Sequence, residues 1–250
     1  MARKLAVAMR KGGSGKTTTT VNLAAALRER GRRVLLVDLD PQANATIAVG
    51  INPLEVRYNI NDLLTSDAIS TREGITHTDF GLDVIASHAD LARTEGGMQA
   101  ADVYALRELL RPVESDYDYI VIDTPPSESF LTANALAYAT EIIIPLQAHY
   151  FAMEGLAQAV EQVSKVRGGG LNPDIRIIGI LPTMVNPRTN IAKAVLDAAR
   201  DAYPRTIYPI AIDFSVKHPE ATAAGVPLVL YEPGHGGALA YKQLAETIDE

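Results

Sequence analysis

Lys11-Gly12-Gly13-Ser14-Gly15-Lys16-Thr17 and the aspartates Asp38, Asp40 and Asp123 are the residues whose types and spacing suit one chemistry. Glycines let backbone N–H groups turn inward on an anion, and an adjoining helix N-terminus adds partial positive charge. A lysine after the last glycine reaches the β- and γ-phosphates of a nucleotide, and the hydroxyl after it ligates Mg²⁺. Lys16 and Thr17 stand in those places, with Thr18 behind them. Asp123 closes the apolar run Tyr119-Ile120-Val121-Ile122 and is followed by Thr124-Pro125-Pro126. An acidic residue at that point holds Mg²⁺ through water, and the two prolines end the strand because neither donates to a ladder.

The elements that must position these groups follow from the apolar pattern. Leu5 to Met9 reads as a buried strand, and the run from Thr17 through Val21, Leu23, Ala24 and Leu27 to Gly31 as a helix with a glycine stop. Val34-Leu35-Leu36-Val37 has no alternation, which suits a parallel strand covered on both faces. Asp38 and Asp40 then fall at its carboxyl end, beside the glycine turn, where ligands bind in open α/β sheets. Further strands are expected at 81–86, 119–123, 141–146, 175–181 and 205–210. Helices are expected at 60–64, 103–110, 129–139, 150–167, 191–203 and 237–248, the last turning Leu239, Leu244 and Ile248 inward. The segment 89–101 reads as irregular or weakly helical. Residues 1–250 form one doubly wound α/β domain on this reading, with a mainly parallel sheet of about seven or eight strands.

The glycine turn departs from GxxxxGK[ST]: Arg10 stands where the first glycine should, and Lys11 adds a second lysine. KGGxGKT is a deviant P-loop, and the chain resembles the ParA/MinD family of partition and positioning ATPases. DLDPQANAT at 38–46, DYDYIVIDTPPS at 116–127, IPLQAHYFAMEGL at 144–156 and GVPLVLYEP at 225–233 carry the likeness, which is strongest to Soj-type ParA proteins and loosest over 43–115. The resemblance implies an ATPase using ATP and Mg²⁺. Lys11 would cross a dimer interface to the partner's nucleotide, and a cation supplied in trans fits phosphoryl transfer. Asp40 would orient or activate the attacking water, with Asp38 near the Mg²⁺ shell unless it only caps the following loop. Catalysis is thereby assigned to Lys11, Lys16 and Asp40, and metal binding to Thr17, Asp40 and Asp123. The Thr124-Pro125-Pro126 segment would sense the γ-phosphate. Loops around Met184 and Pro209 would surround the adenine, and the guanine-reading NKxD motif is not found at 183–190, which favours ATP over GTP.

Composition narrows the class. The 250 residues, 47% hydrophobic and 21% charged, suffice for one substantial core. Zero cysteines exclude disulfides, thiolate metal sites and cysteine-held iron–sulfur clusters, and with them the nitrogenase iron protein and cluster carriers that share this P-loop. The five histidines have no HxH or HExxH partner and read as ordinary surface or partly buried residues. Tyr117, Tyr119 and Tyr150 fall at strand edges and read as packing. No apolar run nears the ~18 residues of a membrane span. The first strand begins almost at once, so no signal peptide is expected and the protein is expected to be cytoplasmic.

A family likeness to Soj implies a homodimer with ATP, nonspecific DNA binding on the nucleoid, and a ParB-like or cargo-adaptor protein that stimulates hydrolysis. The cargo would be a chromosome, plasmid or microcompartment. Arg188, Lys193, Lys217 and Lys242 are the candidate DNA contacts, since phosphate neutralisation drives such binding. Each is alternatively a solvated surface charge. The net charge of −7 opposes a globally basic coat but allows a local patch. Phe214 and Thr222 depart from the Soj pattern in this region. A MinD-like membrane switch is the second reading, and the acidic end Glu246-Thr247-Ile248-Asp249-Glu250 argues against it because anionic lipid repels it. A metabolic P-loop enzyme, such as an amidotransferase-type synthetase, is a third and would need a substrate site that the sequence does not mark. No helix-turn-helix precedes the first strand, so operon autorepression is not expected.

Overall fold

The apolar runs become strands β1 (Arg3–Val7), β2 (Val34–Asp38), β3 (Ile75–His77), β4 (Asp83–Ile85), β5 (Tyr119–Asp123), β6 (Glu141–Gln147) and β7 (Arg176–Thr183) in a computed structural model that describes residues 2–149 and 151–250. They form a seven-stranded sheet in the order β3-β4-β2-β5-β1-β6-β7. Every neighbouring pair is parallel except β3 and β4.

Helices cover both faces: α1 (Lys16–Glu29), α2 (Asn44–Ala48), α3 (Ile60–Thr65), α4 (Leu91–Gly97), α5 (Ala105–Leu110), α6 (Phe130–Tyr138), α7 (Ala152–Gly168), α8 (Asn190–Ala202), α9 (Lys217–Ala223), α10 (Leu228–Tyr231) and α11 (Gly236–Asp249). The unalternating strands are explained by this double cover. Ala6, Ile120, Ile122, Ile142 and Ile144 face one core with Leu131, Leu136 and Leu156. Leu5, Val7, Val121 and Ile143 face another with Leu23, Leu27, Tyr241 and Leu244. Each fully buried aliphatic side chain contributes about 1.5–3 kcal/mol, and a polar residue on either face would forfeit it.

Several expectations are corrected. Residues 205–210 form no strand: Thr206 and Tyr208 pair with Ile180, and Ile212 pairs with Pro182 and Val185. Pro209 stands between these pairings with no N–H to give, so the ladder is interrupted there. Leu239 is 54% exposed, because the inward stripe of α11 is Ala238, Tyr241, Leu244, Ala245 and Ile248. The stretch 89–101, expected to be irregular or weakly helical, does hold the short α4 and the start of a 3₁₀ turn at Ala100–Tyr104. The helix expected from Tyr150 begins at Ala152, and Tyr150 itself lies outside the described residues. Tyr117 and Tyr119 are buried, with hydroxyls donated to Asp83 and Asp249 at 2.8 and 3.0 Å, as packing residues.

Candidate nucleotide site

β5 lies between β1 and β2, with Val7 and Asp38 in register on either side of Asp123. The chain leaving β1 therefore passes over the carboxyl end of β5 before entering α1. Gly13 and Gly15 take φ of +71° and +88°, a left-handed backbone that a side chain would strain. Gly15 is also the N-cap of α1, so the first amides of the helix face the turn. Thr183 at the end of β7 pins this loop by donating its hydroxyl to the Ser14 carbonyl at 2.8 Å.

Lys16 is 6% exposed, and its ammonium makes one long hydrogen bond, 3.4 Å to the Lys11 carbonyl. Burial pulls its pKa below the ordinary lysine value, while Asp123 and Asp40 oppose that shift. A buried cation so thinly partnered fits an arriving anion. It borders a cavity of about 390 Å³ that Gly12, Gly13, Thr17, Asp40 and Pro126 also line.

Asp123 is fully buried and accepts the hydroxyls of Thr17 at 2.7 Å and Thr20 at 3.0 Å. Its pKa is raised, first by burial and then by the Asp38 carboxylate. No group of three His, Cys, Asp or Glu side chains stands ready as a metal cage among the described residues. That suits Mg²⁺, which takes few protein ligands beside water and phosphate oxygens. Thr17 and Asp40 bring side-chain oxygens to the cavity wall, and Asp123 lies behind Thr17.

Asp40 is 7% exposed, with Oδ1 accepting the Gln42 N–H at 3.0 Å. Asp38, by contrast, is occupied by the protein. Its Oδ1 accepts the Asp40 N–H at 3.1 Å, and its Oδ2 accepts both N–H and hydroxyl of Thr46 at 2.8 and 2.7 Å. Of the two roles open to it, these bonds support the loop-holding one. Ser87 completes the loop by donating its hydroxyl to the Asp40 carbonyl at 2.7 Å.

Beyond Gly15 and Thr18 the site widens into a second cavity of about 950 Å³, with Ile47, Pro53, Ile212, Phe214 and Val216 among its walls. Apolar walls of this kind suit a base. Met184 lies where both cavities meet, at φ +51°. Pro209 is exposed and lines neither; Ile212 to Val216 take the place expected of it, because the chain turns toward the site only after Pro209.

Lys11 is exposed and does not line the phosphate cavity, although Gly12 and Gly13 do. The candidate DNA contacts are scattered. Arg188 and Lys193 are exposed and make no ion pair with a described residue. Lys217 pairs with Glu220 at 2.8 Å and Glu232 at 3.5 Å. Lys242 pairs at 3.1 Å with Glu29, at the end of α1 away from the phosphate loop. A helix of that length puts it about 20 Å from the loop.

Sequence reasoning missed Asn22 and His218. Asn22 lines the phosphate cavity and ties α1 to α10 by accepting the Val229 N–H at 3.1 Å. His218 borders both cavities with both ring nitrogens buried and without a partner among the described residues. Neither belongs to a motif, so no spacing signal marks them.

The sheet order, the glycine turn on the helix, the buried Lys16 and Asp123 at the end of β5 define a doubly wound P-loop protein. The profile of the AAA domain family matches residues 2–177. The chromosome-partitioning ATPase Soj of Thermus thermophilus is 40% identical over 246 residues, which cover 98% of this chain and 95% of that one. The sporulation initiation inhibitor protein Soj of Bacillus subtilis is 39% identical over 250 residues, covering 99% and 98%. A crystal structure of cobyrinic acid a,c-diamide synthase from Mycobacterium smegmatis, with bound ADP and magnesium, superposes with a TM-score of 0.86 at 35% identity over 99% of this chain and 94% of that one. The chain belongs to the AAA domain family, in its Soj/ParA group of partitioning ATPases. Among the described residues no helix is long and apolar enough to cross a membrane.

Proposed function

We propose that this protein binds and hydrolyses Mg²⁺-ATP, dimerises while ATP is bound, and in that form holds DNA without sequence preference while it positions a cargo. The observation that carries this reading is the division of the two lysines. Lys16 is buried at the phosphate cavity beside Asp40 and Asp123, whereas Lys11, in the same loop, points out of it. A lysine turned away from its own nucleotide can reach one held by a second copy.

When bound, Mg²⁺ neutralises charge on the phosphates. The chain's own groups supply the rest. The amides of the glycine turn and the Lys16 ammonium hold the β- and γ-phosphates, and Thr17 and Asp123 orient the metal's side of the cradle. Asp40, beside the cavity and fixed through its own N–H by Asp38, orients the attacking water. The apolar cavity beside Met184 takes the adenine. Hydrolysis removes the γ-phosphate that Lys11 of the second protomer contacts, and the dimer parts. A ParB-like or cargo-adaptor protein accelerates that step.

DNA contact falls to Arg188 and Lys193, since Lys217 and Lys242 already have acidic partners. Two weak patches brought together by dimerisation give useful affinity by multivalency. Binding of random-sequence duplex is therefore expected with ATP, not with ADP, and should weaken steeply with salt as counterions are released. A mobility assay with each nucleotide at two salt concentrations tests this. Equal binding with both nucleotides, or none with ATP at low salt, overturns the DNA role. ATP turnover that instead depended on a small-molecule amide acceptor would support a synthetase.

A further inference from the structure

Turned out of the phosphate cavity, the Lys11 ammonium meets Nε2 of His149, just beyond β6. The other ring nitrogen, Nδ1, accepts the N–H of Phe151 at 3.1 Å, at the entrance to α7. A neutral imidazole offers a lone pair on only one nitrogen, because the other carries the proton. The lysine and the Phe151 amide thus compete for a single acceptor. Burial first, and the Lys11 charge second, lower the His149 pKa and keep the ring neutral.

We propose that His149 clasps Lys11 inside its own protomer and that release of this clasp is a step in ATP-dependent dimerisation. The clasp is weak by construction. It joins two accessible side chains, and it holds only in the tautomer that gives up the Phe151 amide. A nucleotide phosphate is a charged acceptor and makes a hydrogen bond about twice as strong as a neutral one. When a second protomer presents its phosphates, Lys11 moves from the ring to them and Nδ1 regains the amide. His149 is a positioning residue on this account. It keeps the trans lysine ordered and near the interface without letting it occupy its own site.

The inference rests on the reading that Lys11 acts across the dimer, and the experiment separates the two. His149→Gln places an amide oxygen near Nε2 and keeps an acceptor for Lys11. His149→Asn places one near Nδ1 and keeps only the Phe151 contact. Each clasp is one hydrogen bond, about threefold in equilibrium, and a dimer opens two, so the product is about tenfold. Sedimentation with Mg²⁺ and a non-hydrolysable ATP analogue should show His149→Asn dimerising at about tenfold lower protein concentration than the parent. His149→Gln should match the parent. Proton NMR titration of the His149 ring in the nucleotide-free protein supplies a second readout, with the ring pKa expected to rise in Lys11→Ala. An unchanged ring pKa in Lys11→Ala overturns the clasp, whatever the dimers do. A changed pKa with equal dimerisation of both His149 variants overturns its part in assembly, while loss of the dimer in Lys11→Ala keeps the trans role. Full dimerisation of Lys11→Ala overturns both.

Discussion

Replacing Asp38 by asparagine tests how the site holds Asp40. Asp38 is fully buried and receives three donors: the Asp40 N–H, the Thr46 N–H and the Thr46 hydroxyl, at 3.1, 2.8 and 2.7 Å. Asparagine keeps the shape but turns one oxygen into an NH₂ donor. Pointing that NH₂ at Thr46 sets it against two donors, so it will turn toward Asp40, where it meets one. The Asp40 N–H is then left without an acceptor, at a cost of about 1–3 kcal/mol. Loss of the Asp38 charge beside Asp123 offsets part of this, since that charge helps raise the Asp123 pKa. A net destabilisation of about 1–2 kcal/mol corresponds to a fall in Tm of about 2–8 °C for a chain of this size. Calorimetry measures it. The same change frees Asp40, so kcat for ATP should fall more than tenfold, about 1.4 kcal/mol in the barrier, with the Mg²⁺ requirement unchanged. If the variant matched the parent in Tm and kcat, the loop-holding role would be wrong; if added Mg²⁺ restored its rate, Asp38 would act as a metal ligand instead.

Lys16→Ala should abolish detectable ATP binding by filter or calorimetric assay, because the phosphates lose their buried ammonium partner. Asp40→Ala should bind ATP and sediment as a dimer yet hydrolyse slowly; turnover at the parent rate would remove Asp40 from water positioning. Asp123 has a folded pKa above its unfolded value, so the nucleotide-free protein should lose stability as pH rises from the ordinary carboxylate range through that raised value. Mg²⁺-ADP needs the ionised carboxylate, so near neutral pH its binding should release protons, read by calorimetry in buffers of different ionisation enthalpy. Release should diminish at higher pH, where Asp123 is already charged.

How much of this was legible in the sequence depends on the length scale of the signal. The phosphate loop was readable from its glycine and lysine spacing, and β1, β2 and β5 as contiguous apolar runs, the last two ending in Asp38 and Asp123. Asp38 was placed correctly, and its role stayed open because caps and metal ligands look alike until Thr46 is seen beside it. Residues 205–210 read as a strand because their apolar content is strand-like, and only the pairing partners reveal the break at Pro209. The wall at Ile212–Val216, Asn22 and His218 come together from segments far apart in the chain, with no local pattern to announce it.

The loop after β2 joins these observations. Asp40, Gln42 and Asn44 line the phosphate cavity, and Ile47, Gly50 and Pro53, a few residues on, line the apolar one. A single segment thus touches both ends of the nucleotide site, and it hangs from Asp38 through Asp40 at one point and Thr46 at another. Asp38 in turn lies in register with Asp123, whose pKa is raised by burial and by Asp38 itself. Ionisation of Asp123 on metal binding raises the cost of a second charge at Asp38 and so bears on the anchor of the loop. On the proposed reading, nucleotide and metal act on the Asp40 loop from two directions: by direct contact along its length, and through the carboxylate that holds its root. Such a site should change its surface between nucleotide states with little movement of the sheet. A partner protein that presses on the loop would then reach Asp40, the proposed water-positioning group, without touching the phosphates.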